Sequence, residues 1–497
     1  MTNPNLPATP SPETDTGAKT PFFDLATRWI VIPGLLLRLW HYGRNPSMWH
    51  DEAAATVNIL NRSFTGFFGH LTHSATGSPL LFALVHCVVV VFGDSTYSLR
   101  LVSLLASCTG LVLMARLCRS LLEPADAIFA VAMVAFSDRL LWHAVEARHY
   151  STDFLIGLLA VLLFARTMAS SPGRRFAVFA IYAPFAILFS YPGIFLCAGV
   201  MMALLPRAWR DWNARTWAAW FALGAWVAAL FAFFYLFMVR PQHSPDIDEA
   251  WVKLFPDLHK PWTVPFWFVG STFSIFDYYV RPWLGGILLL PAIAGAVHWW
   301  KGEKRGLVIL TLVAMGCAAC AALIKSYPYT GARTMVYCMP GLVLLTGAGL
   351  GPFFRWTRRI FPDLFSVIPV IAIAAPVIIS VFFAVWTVFV PWKRADTKGA
   401  SAYVFAHMQA GDAITTNSYE YEYYFRKVPS FTPDIANATQ FPTDNSSPRR
   451  LWMVLNAATA DDRNKIANLV LSRGWHAEDE HEFQNASVYL LSSKPGN

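Results

Sequence analysis

Charged side chains are scarce in this chain of 497 residues, because only 14% of them are Asp, Glu, Lys or Arg. Ordinary soluble domains carry about 25%. Apolar residues take their place: they make up 55% of the chain, with 38 Phe and 20 Trp, and the mean hydropathy is +0.41. This composition argues against a soluble globular protein and indicates a membrane protein.

The sequence also lacks the motifs of several enzyme and pump classes. It has no G-x-x-x-x-G-K-[ST] loop, which argues against an ATP-driven pump, and no G-x-S-x-G elbow for a serine nucleophile. The seven cysteines lie in or beside apolar segments and imply no disulfide framework. No basic stripe interleaved with aromatic residues lies on a soluble segment, so we expect no nucleic-acid partner.

Long apolar runs predict transmembrane helices, because about 20 apolar residues cross a bilayer. Two weaker stretches, 80–92 and 262–280, are short or interrupted. We predict an all-α polytopic membrane domain over 25–391 with about eleven spans, and thirteen if both weak stretches cross. The eleven runs are 25–42, 97–118, 125–143, 150–169, 174–190, 193–206, 215–239, 282–300, 306–324, 334–350 and 365–391.

The distribution of basic residues predicts the orientation, because Lys and Arg are enriched in cytoplasmic loops. With eleven spans and a cytoplasmic N-terminus, the clusters around residues 119, 174, 210, 304 and 358 all fall inside. Residues 1–24 are then a disordered cytoplasmic tail, and 43–96 form the first external loop. We expect a multi-pass protein of the inner (plasma) membrane, in contact with membrane lipids, whose C-terminal domain is extracytoplasmic.

Residues 392–497 lose the apolar character of the preceding chain and predict a small soluble α/β domain. A helical pattern at 401–406 ends at Gly411-Asp412. The apolar pair Ala413-Ile414 follows. Strands are predicted at 451–455 and 487–492, with an amphipathic helix at 464–472. The segment has no Gly-rich phosphate loop, so nothing indicates nucleotide binding.

Two adjacent carboxylates, Asp51 and Glu52, follow the first apolar run. Acids at a bilayer edge are costly to desolvate, and a carboxylate held there can act as a general base. The neighbouring Trp49 and His50 and the alanines at 53–55 favour an interfacial helix over an exposed loop. A solvated acidic loop is the alternative.

A second polar cluster, Glu146-Ala147-Arg148-His149-Tyr150, opens a predicted membrane helix on the external side. An arginine at a helix N-terminus suits a phosphate or diphosphate group. The alternative is an internal Glu146–Arg148 pair with the arginine reaching toward water.

A third external cluster lies at 325–333 and contains Lys325, Tyr329 and Arg333. These cations and the tyrosine could bind a lipid phosphate headgroup, and interfacial anchoring by Tyr and Lys is the alternative. In the loop 240–262, a divalent cation is possible, although the spacing matches no specific metal site. We therefore assign no cofactor and no metal ligands; the polar residues of that loop are His243, Asp246, Asp248, Glu249 and His259.

In their order along the chain, these pieces resemble a membrane-embedded GT-C glycosyltransferase. The similarity is to the dolichyl-phosphate-mannose-protein mannosyltransferase-like group (glycosyltransferase 39) and to the aminoarabinose transferases of lipid A, and it covers residues 25–490. Gly77-Ser78 stand where the family usually has His-Pro, with His73 nearby. The matching segments are Asp51-Glu52, Ser78-Pro79-Leu80-Leu81, Phe92-Gly93-Asp94-Ser95, Leu99-Arg100-Leu101, Glu146-Ala147-Arg148-x-Tyr150, the segment ending in Arg333, Pro340-Gly341-Leu342, Gly411-Asp412 and 451–455.

The resemblance implies transfer of a sugar from a polyprenyl-phosphate donor to an acceptor hydroxyl at the outer face, with inversion at the anomeric carbon. The acceptor would be a glycan, a lipid or a protein. It implies that Asp51 is the general base, that Glu52 supports it, and that three cations neutralise the donor phosphate: Arg148, Lys325 and Arg333. The further expected substrate-binding residues are His50, Glu146, His149, Tyr150 and Tyr329.

Two other functions remain open on the sequence. A lipid-linked saccharide transporter or flippase predicts an internal repeat, and none is evident. An O-antigen-type polymerase or ligase has no established need for the paired acids at Asp51 and Glu52.

Overall fold

The apolar runs form helices, because a segment in hydrocarbon must satisfy its own backbone N–H and C=O groups. A computed structural model describes residues 21–211, 213–280, 284–360, 362, 367–433, 450–456, 461, 464, 468 and 475–493. The helices of the membrane domain are α1 Pro21–Arg44, α2 His50–Asn61, α3 Pro79–Phe92, α4 Thr96–Leu121, α5 Pro124–Ala135, α6 Asp138–His143, α7 Tyr150–Thr167, α8 Pro172–Phe189, α9 Gly193–Asp211, α10 Ala214–Phe234, α11 Arg240–Gln242, α12 Pro245–Trp251, α13 Val264–Tyr279, α14 Leu289–Trp300, α15 Arg305–Leu323, α16 Met339–Ile360 and α17 Val367–Phe389.

Six helical stretches among the described residues are long and apolar enough to cross a membrane. They are Thr96–Leu121, Tyr150–Thr167, Ala214–Gln242, Arg305–Leu323, Arg333–Ile360 and Val367–Phe389. The stretch from Ala214 continues from α10 through a π-helical turn, Tyr235–Val239, into α11. The fold class predicted from the sequence is confirmed, and the count of eleven spans stays a prediction.

The predicted span 125–143 is two helices, α5 and α6, rather than one. Ser137 lies between them: its Oγ accepts a hydrogen bond from the backbone N of Leu140 at 3.4 Å and donates one to the carbonyl of Tyr279 at 2.8 Å. A serine that caps one helix and ties it to another competes with continuation of the first helix. Apolar character alone could not reveal this break.

Both weak stretches are helical. The first forms α3, with Pro79 at its start, and ends at Gly93, whose φ of +85° favours glycine. The second contains α13. At 14 and 16 residues, these helices are about 21 and 24 Å long, shorter than a hydrocarbon core of about 30 Å.

Helices α14 and α16 approach closely because glycine faces glycine. A Cβ on Gly295 would lie 1.9 Å from the carbonyl oxygen of Leu345, and one on Gly349 would lie 1.7 Å from that of Pro291. Small residues allow helix backbones to pack closely in a membrane. The buried apolar core of the membrane domain continues from this contact through α7, α9 and α15.

The C-terminal domain is a small α/β unit, as predicted. Its sheet has the order β2-β1-β3-β5-β4, in which β1 is parallel to β2 and β3, and β5 is antiparallel to β3 and β4. The predicted helix at 464–472 lies largely outside the described residues. The elements are α18 Thr397–His407, β1 Ala413–Thr416, α19 Glu420–Phe425, β2 Phe431–Thr432, β3 Arg450–Asn456, β4 Trp475–Phe483 and β5 Ala486–Ser493.

Candidate active site

Helix α2 separates the two adjacent acids into different environments. Successive residues of a helix point about 100° apart, so Asp51 and Glu52 cannot share one direction. Glu52 is fully buried, whereas the side chain of Asp51 retains 23% of its exposure. A helix is present at the predicted position, and its first turn has one buried and one accessible carboxylate.

Glu52 is held by Arg100 of α4 through a bidentate ion pair. Nε of Arg100 donates to Oε1 at 2.6 Å and Nη2 to Oε2 at 2.8 Å. The backbone N of Ala147 donates to Oε1 at 2.9 Å, and Nη1 of Arg394 lies 3.6 Å from Oε2. Both carboxylate oxygens are therefore occupied, and Glu52 joins α2, α4, the start of α7 and the linker to the C-terminal domain.

Asp51 forms an ion pair with Arg333, the residue that begins the 3-10 turn before α16. The guanidinium of Arg333 lies over two aromatic rings, 4.8 Å from the centre of Trp49 and 5.5 Å from that of Tyr150. Both aromatic faces stabilise a cation. The expected base and one expected phosphate ligand are thus in direct contact.

Arg148 approaches Asp51 from the start of α7 and is only 6% exposed. Its Nη1 donates to the carbonyls of Asp51 at 3.4 Å and Thr76 at 3.2 Å, and its Nη2 to the hydroxyl of Tyr150 at 3.5 Å. Its buried Nε has no hydrogen-bond partner. Within the described part of the chain, no carboxylate forms an ion pair with Arg148, so a buried cation here has no direct counter-charge.

Glu146 does not pair with Arg148, which argues against the internal pair considered above. Its Oε1 accepts a hydrogen bond from Nε1 of Trp49 at 2.6 Å, and its Oε2 lies 2.8 Å from Nδ1 of His143. Nε2 of His143 in turn lies 2.8 Å from the hydroxyl of Tyr278. This buried network fixes the indole of Trp49, the ring that supports the Arg333 guanidinium.

His149 and Tyr150 border the same site. Their ring centres are 4.5 Å apart, and Nε2 of His149 lies 3.7 Å from Oδ2 of Asp153 one turn along α7. Tyr150 contacts both arginines, whereas the other ring near His149 is that of Tyr191, at 6.4 Å. Of these two predicted substrate-binding residues, Tyr150 is the one in contact with the cations.

Two expected residues of the third cluster are not joined to Asp51. Tyr329 is buried against α13, where its hydroxyl lies 2.9 Å from Oγ1 of Thr272 and its ring stacks on Phe268 at 5.5 Å. Lys325 is exposed, in the left-handed backbone region at φ +56°. Its role as a phosphate ligand stays a prediction without a contact to the site.

After α11, Nε2 of His243 lies 3.1 Å from Oδ2 of Asp248, which belongs to α12. Among the residues that the structure describes, no group of three or more His, Cys, Asp or Glu side chains is placed to hold a metal ion. A divalent cation therefore has no identified ligand set here.

The C-terminal domain contributes residues that the sequence analysis missed. The ring of Tyr419 lies between His50 and His73, at 4.3 and 4.5 Å from their centres. Oε1 of Glu420 lies 3.8 Å from Nδ1 of His50, and Oε2 of Glu422 lies 2.9 Å from Nε2 of His73. The acidic–aromatic run 419–424 was the available signal, but nothing in it indicates which surface it meets.

Burial raises the pKa of Glu420 to about 7, although a hydrogen bond from the amide of Asn456 opposes the shift. Burial also lowers the pKa of His50. Both shifts favour the neutral forms of the two groups, so burial between α2 and α19 weakens the charge on the Glu420–His50 contact.

We expect Glu420→Gln to stabilise the purified protein more at pH 8 than at pH 5. Glu420 holds its proton to a higher pH in the folded than in the unfolded chain, so its ionisation costs stability as the pH rises from about 4.5 to 7. The increase in melting temperature of Glu420→Gln over the wild type should be about 1–3 °C larger at pH 8 than at pH 5. Glu480→Gln on the exposed strand β4 is the matched control, and an equal gain at both pH values would contradict the prediction.

The comparison with solved structures gives the fold class: the chain has the GT-C fold of membrane-embedded glycosyltransferases. ArnT from Cupriavidus metallidurans superposes with a TM-score of 0.55 in its apo state and 0.58 when bound to undecaprenyl phosphate. The identities are 13% and 12%, and the matches cover 94% and 95% of this chain and 98% of ArnT.

The Archaeoglobus fulgidus oligosaccharyltransferase, in complex with Zn and sulfate, superposes with a TM-score of 0.51 at 12% identity. That match covers 93% of this chain and 72% of the oligosaccharyltransferase. No family model matches the chain, and no curated protein matches its sequence. The resemblance drawn from the sequence is therefore confirmed for the fold.

Proposed function

We propose that this protein is an integral-membrane glycosyltransferase that moves a sugar from a polyprenyl-phosphate donor to an acceptor hydroxyl at the outer face of the inner membrane. The observation that carries the proposal is Arg148, a buried cation without an ion-pair partner in the described chain, beside the accessible Asp51–Arg333 pair. In this site Asp51 can accept a proton, and Arg148 and Arg333 can bind an anion.

The anion is inferred from electrostatics. A buried charge is costly unless it is paired and hydrogen-bonded, and the contacts of Arg148 are backbone carbonyls and one tyrosine hydroxyl. Arginine binds phosphate through charge-assisted hydrogen bonds. The undecaprenyl phosphate bound to ArnT, a protein of the same fold, supports a polyprenyl phosphate as the ligand.

In the proposed reaction, Asp51 takes the proton of the acceptor hydroxyl as its oxygen attacks the anomeric carbon. The bond from that carbon to the phosphate oxygen breaks with its electron pair, and the configuration inverts. The phosphate that leaves gains one negative charge, which Arg148 and Arg333 stabilise. Lys325 is proposed to assist from the exposed loop.

The other contacts position these groups. Glu146 orients Trp49, which with Tyr150 provides the aromatic surface under Arg333. Glu52 fixes the first turn of α2, so the direction of Asp51 is set by a buried ion pair one residue away. A glycan, lipid or protein acceptor would approach Asp51 past His50, where α19 of the C-terminal domain borders the site.

We expect purified protein to bind undecaprenyl phosphate, and Arg148→Gln to weaken that binding by at least about tenfold, since a charge-assisted contact to a buried site is lost. Binding can be measured by the change in tryptophan fluorescence or by native mass spectrometry. Arg174→Gln, at an exposed position on the opposite end of the helices, is the matched control.

Transfer itself is tested by mass spectrometry of cell-surface glycans and lipids with and without the protein. We expect one glycosylated species to disappear when the gene is deleted. It should return when the wild-type protein is expressed again, and not when an inactive variant is expressed. Failure of the wild type to bind undecaprenyl phosphate, or equal binding by Arg148→Gln, would reject the proposed donor site.

A further inference from the structure

Two acid–arginine pairs lie one residue apart on α2, and they differ in accessibility. Glu52 and Arg100 are 0% and 1% exposed at the side chain, whereas Asp51 and Arg333 are 23% and 35% exposed. Glu52 also has a backbone donor and a second arginine. We call Glu52–Arg100 the inner pair and Asp51–Arg333 the outer pair. The inner pair is enclosed by the surrounding residues, whereas a ligand can reach the outer pair.

In the outer pair, Asp51 and Arg333 neutralise each other, so neither is fully available to a substrate. As long as Asp51 holds Arg333, the carboxylate that should accept a proton is neutralised by a cation, and that cation is not fully available to a phosphate. Among the residues that the structure describes, Asp51 is the one carboxylate paired with Arg333, and its other support comes from the faces of Trp49 and Tyr150. Cation–π contacts are less directional than hydrogen bonds. The Arg333 guanidinium can therefore move across the faces of Trp49 and Tyr150 and stay in contact with them.

We propose that the Asp51–Arg333 ion pair is a latch that the donor phosphate opens, so that donor binding draws Arg333 away and frees Asp51 for the acceptor. This inference rests on the proposed function. Arg148, with its buried unpartnered Nε, is the first anchor for the phosphate, and Arg333 follows. The donor then binds before the acceptor is activated.

The latch also relates product release to the proton. Transfer leaves the acceptor proton on Asp51 and a phosphate with one more negative charge on Arg148 and Arg333. A protonated carboxyl has no charge to attract Arg333, so the ion pair re-forms only when Asp51 gives its proton to water. Polyprenyl phosphate then loses one of its two cations and can leave.

Linkage gives the test, because an ion pair that competes with a ligand weakens that ligand by a fixed factor. We expect Asp51→Asn to bind undecaprenyl phosphate about three- to tenfold more tightly than the wild type. In an Arg333→Gln background, the same change should have little effect, since no latch remains. Asp248→Asn, at an exposed acid of α12, should leave the dissociation constant unchanged.

The double-mutant cycle separates the latch from simple repulsion between Asp51 and the phosphate, which would give the same gain in both backgrounds and overturn the proposal. Asp51→Ser provides a second variant if Asp51→Asn does not fold, as judged by its melting temperature. Binding by the wild type with no gain in either variant would overturn the latch alone. Absence of wild-type binding would overturn the proposed function with it.

Discussion

Replacing Asp51 by Asn is expected to lower the rate of sugar transfer by about 10²- to 10⁴-fold, the usual contribution of a general base. Asparagine has the shape of aspartate but cannot take the acceptor proton. Because Asp51 is accessible and lies at the helix surface, the variant should keep the melting temperature of the wild type to within about 2 °C. The measurement is the initial rate with a polyprenyl-phosphate sugar in proteoliposomes.

Asp248→Asn is the control for this experiment, since it makes the same chemical change at an acid that is 56% exposed at the side chain. Its rate should equal that of the wild type. An Asp51→Asn variant that transfers sugar at the normal rate would remove Asp51 from the role of base. A fall in rate together with tighter binding of undecaprenyl phosphate would agree with both the base and the latch.

Replacing Glu52 by Gln should mainly lower the stability of the protein, whereas Asp51→Asn should mainly lower the rate of transfer. Removing one charge of a buried ion pair typically costs about 3–5 kcal/mol, because the remaining charge is left buried. Here Arg100 and Arg394 would both lose their carboxylate. We expect little folded protein after extraction in detergent, and a clearly lower melting temperature for what remains.

The double variant Glu52→Leu with Arg100→Leu provides the comparison, because an apolar pair of similar volume often replaces a buried ion pair at little cost. It should recover the part of the stability that Glu52→Gln loses at Arg100, whereas Arg394 still lacks its carboxylate in both variants. If Glu52→Gln instead keeps its melting temperature and loses only transfer, Glu52 belongs to the catalytic groups rather than to the support of α2.

These two predictions separate residues that the sequence could not separate. Asp51 and Glu52 are neighbours with the same charge, and the resemblance to GT-C glycosyltransferases names both. The difference between them comes from Arg100, which lies 48 positions further along the chain and meets Glu52 only after α2 packs against α4. A motif specifies the residue types present, whereas packing specifies which of them water and substrate can reach.

At the predicted clusters 146–150 and 325–333, the sequence likewise named residue types without their contacts. The sequence analysis named Arg148 and Arg333 as phosphate-binding cations, and the structure brings both to Asp51. Tyr329 was named from the same cluster, but in the structure it is buried against α13, where its hydroxyl meets Thr272. The acidic–aromatic run beginning at Tyr419 was passed over, since its value depends on a contact between two domains.

The sequence by itself determined the membrane class, the positions of most helices and the soluble C-terminal domain. It could do so because the cost of leaving apolar surface in water, or backbone groups unbonded in lipid, depends on composition over a window of about 20 residues. Only the tertiary structure decided that Glu52 is enclosed and Asp51 accessible, that Arg148 is buried with no ion-pair partner among the described residues, and that α19 borders the site. Those properties depend on distances between segments far apart in the chain, and no local pattern records them.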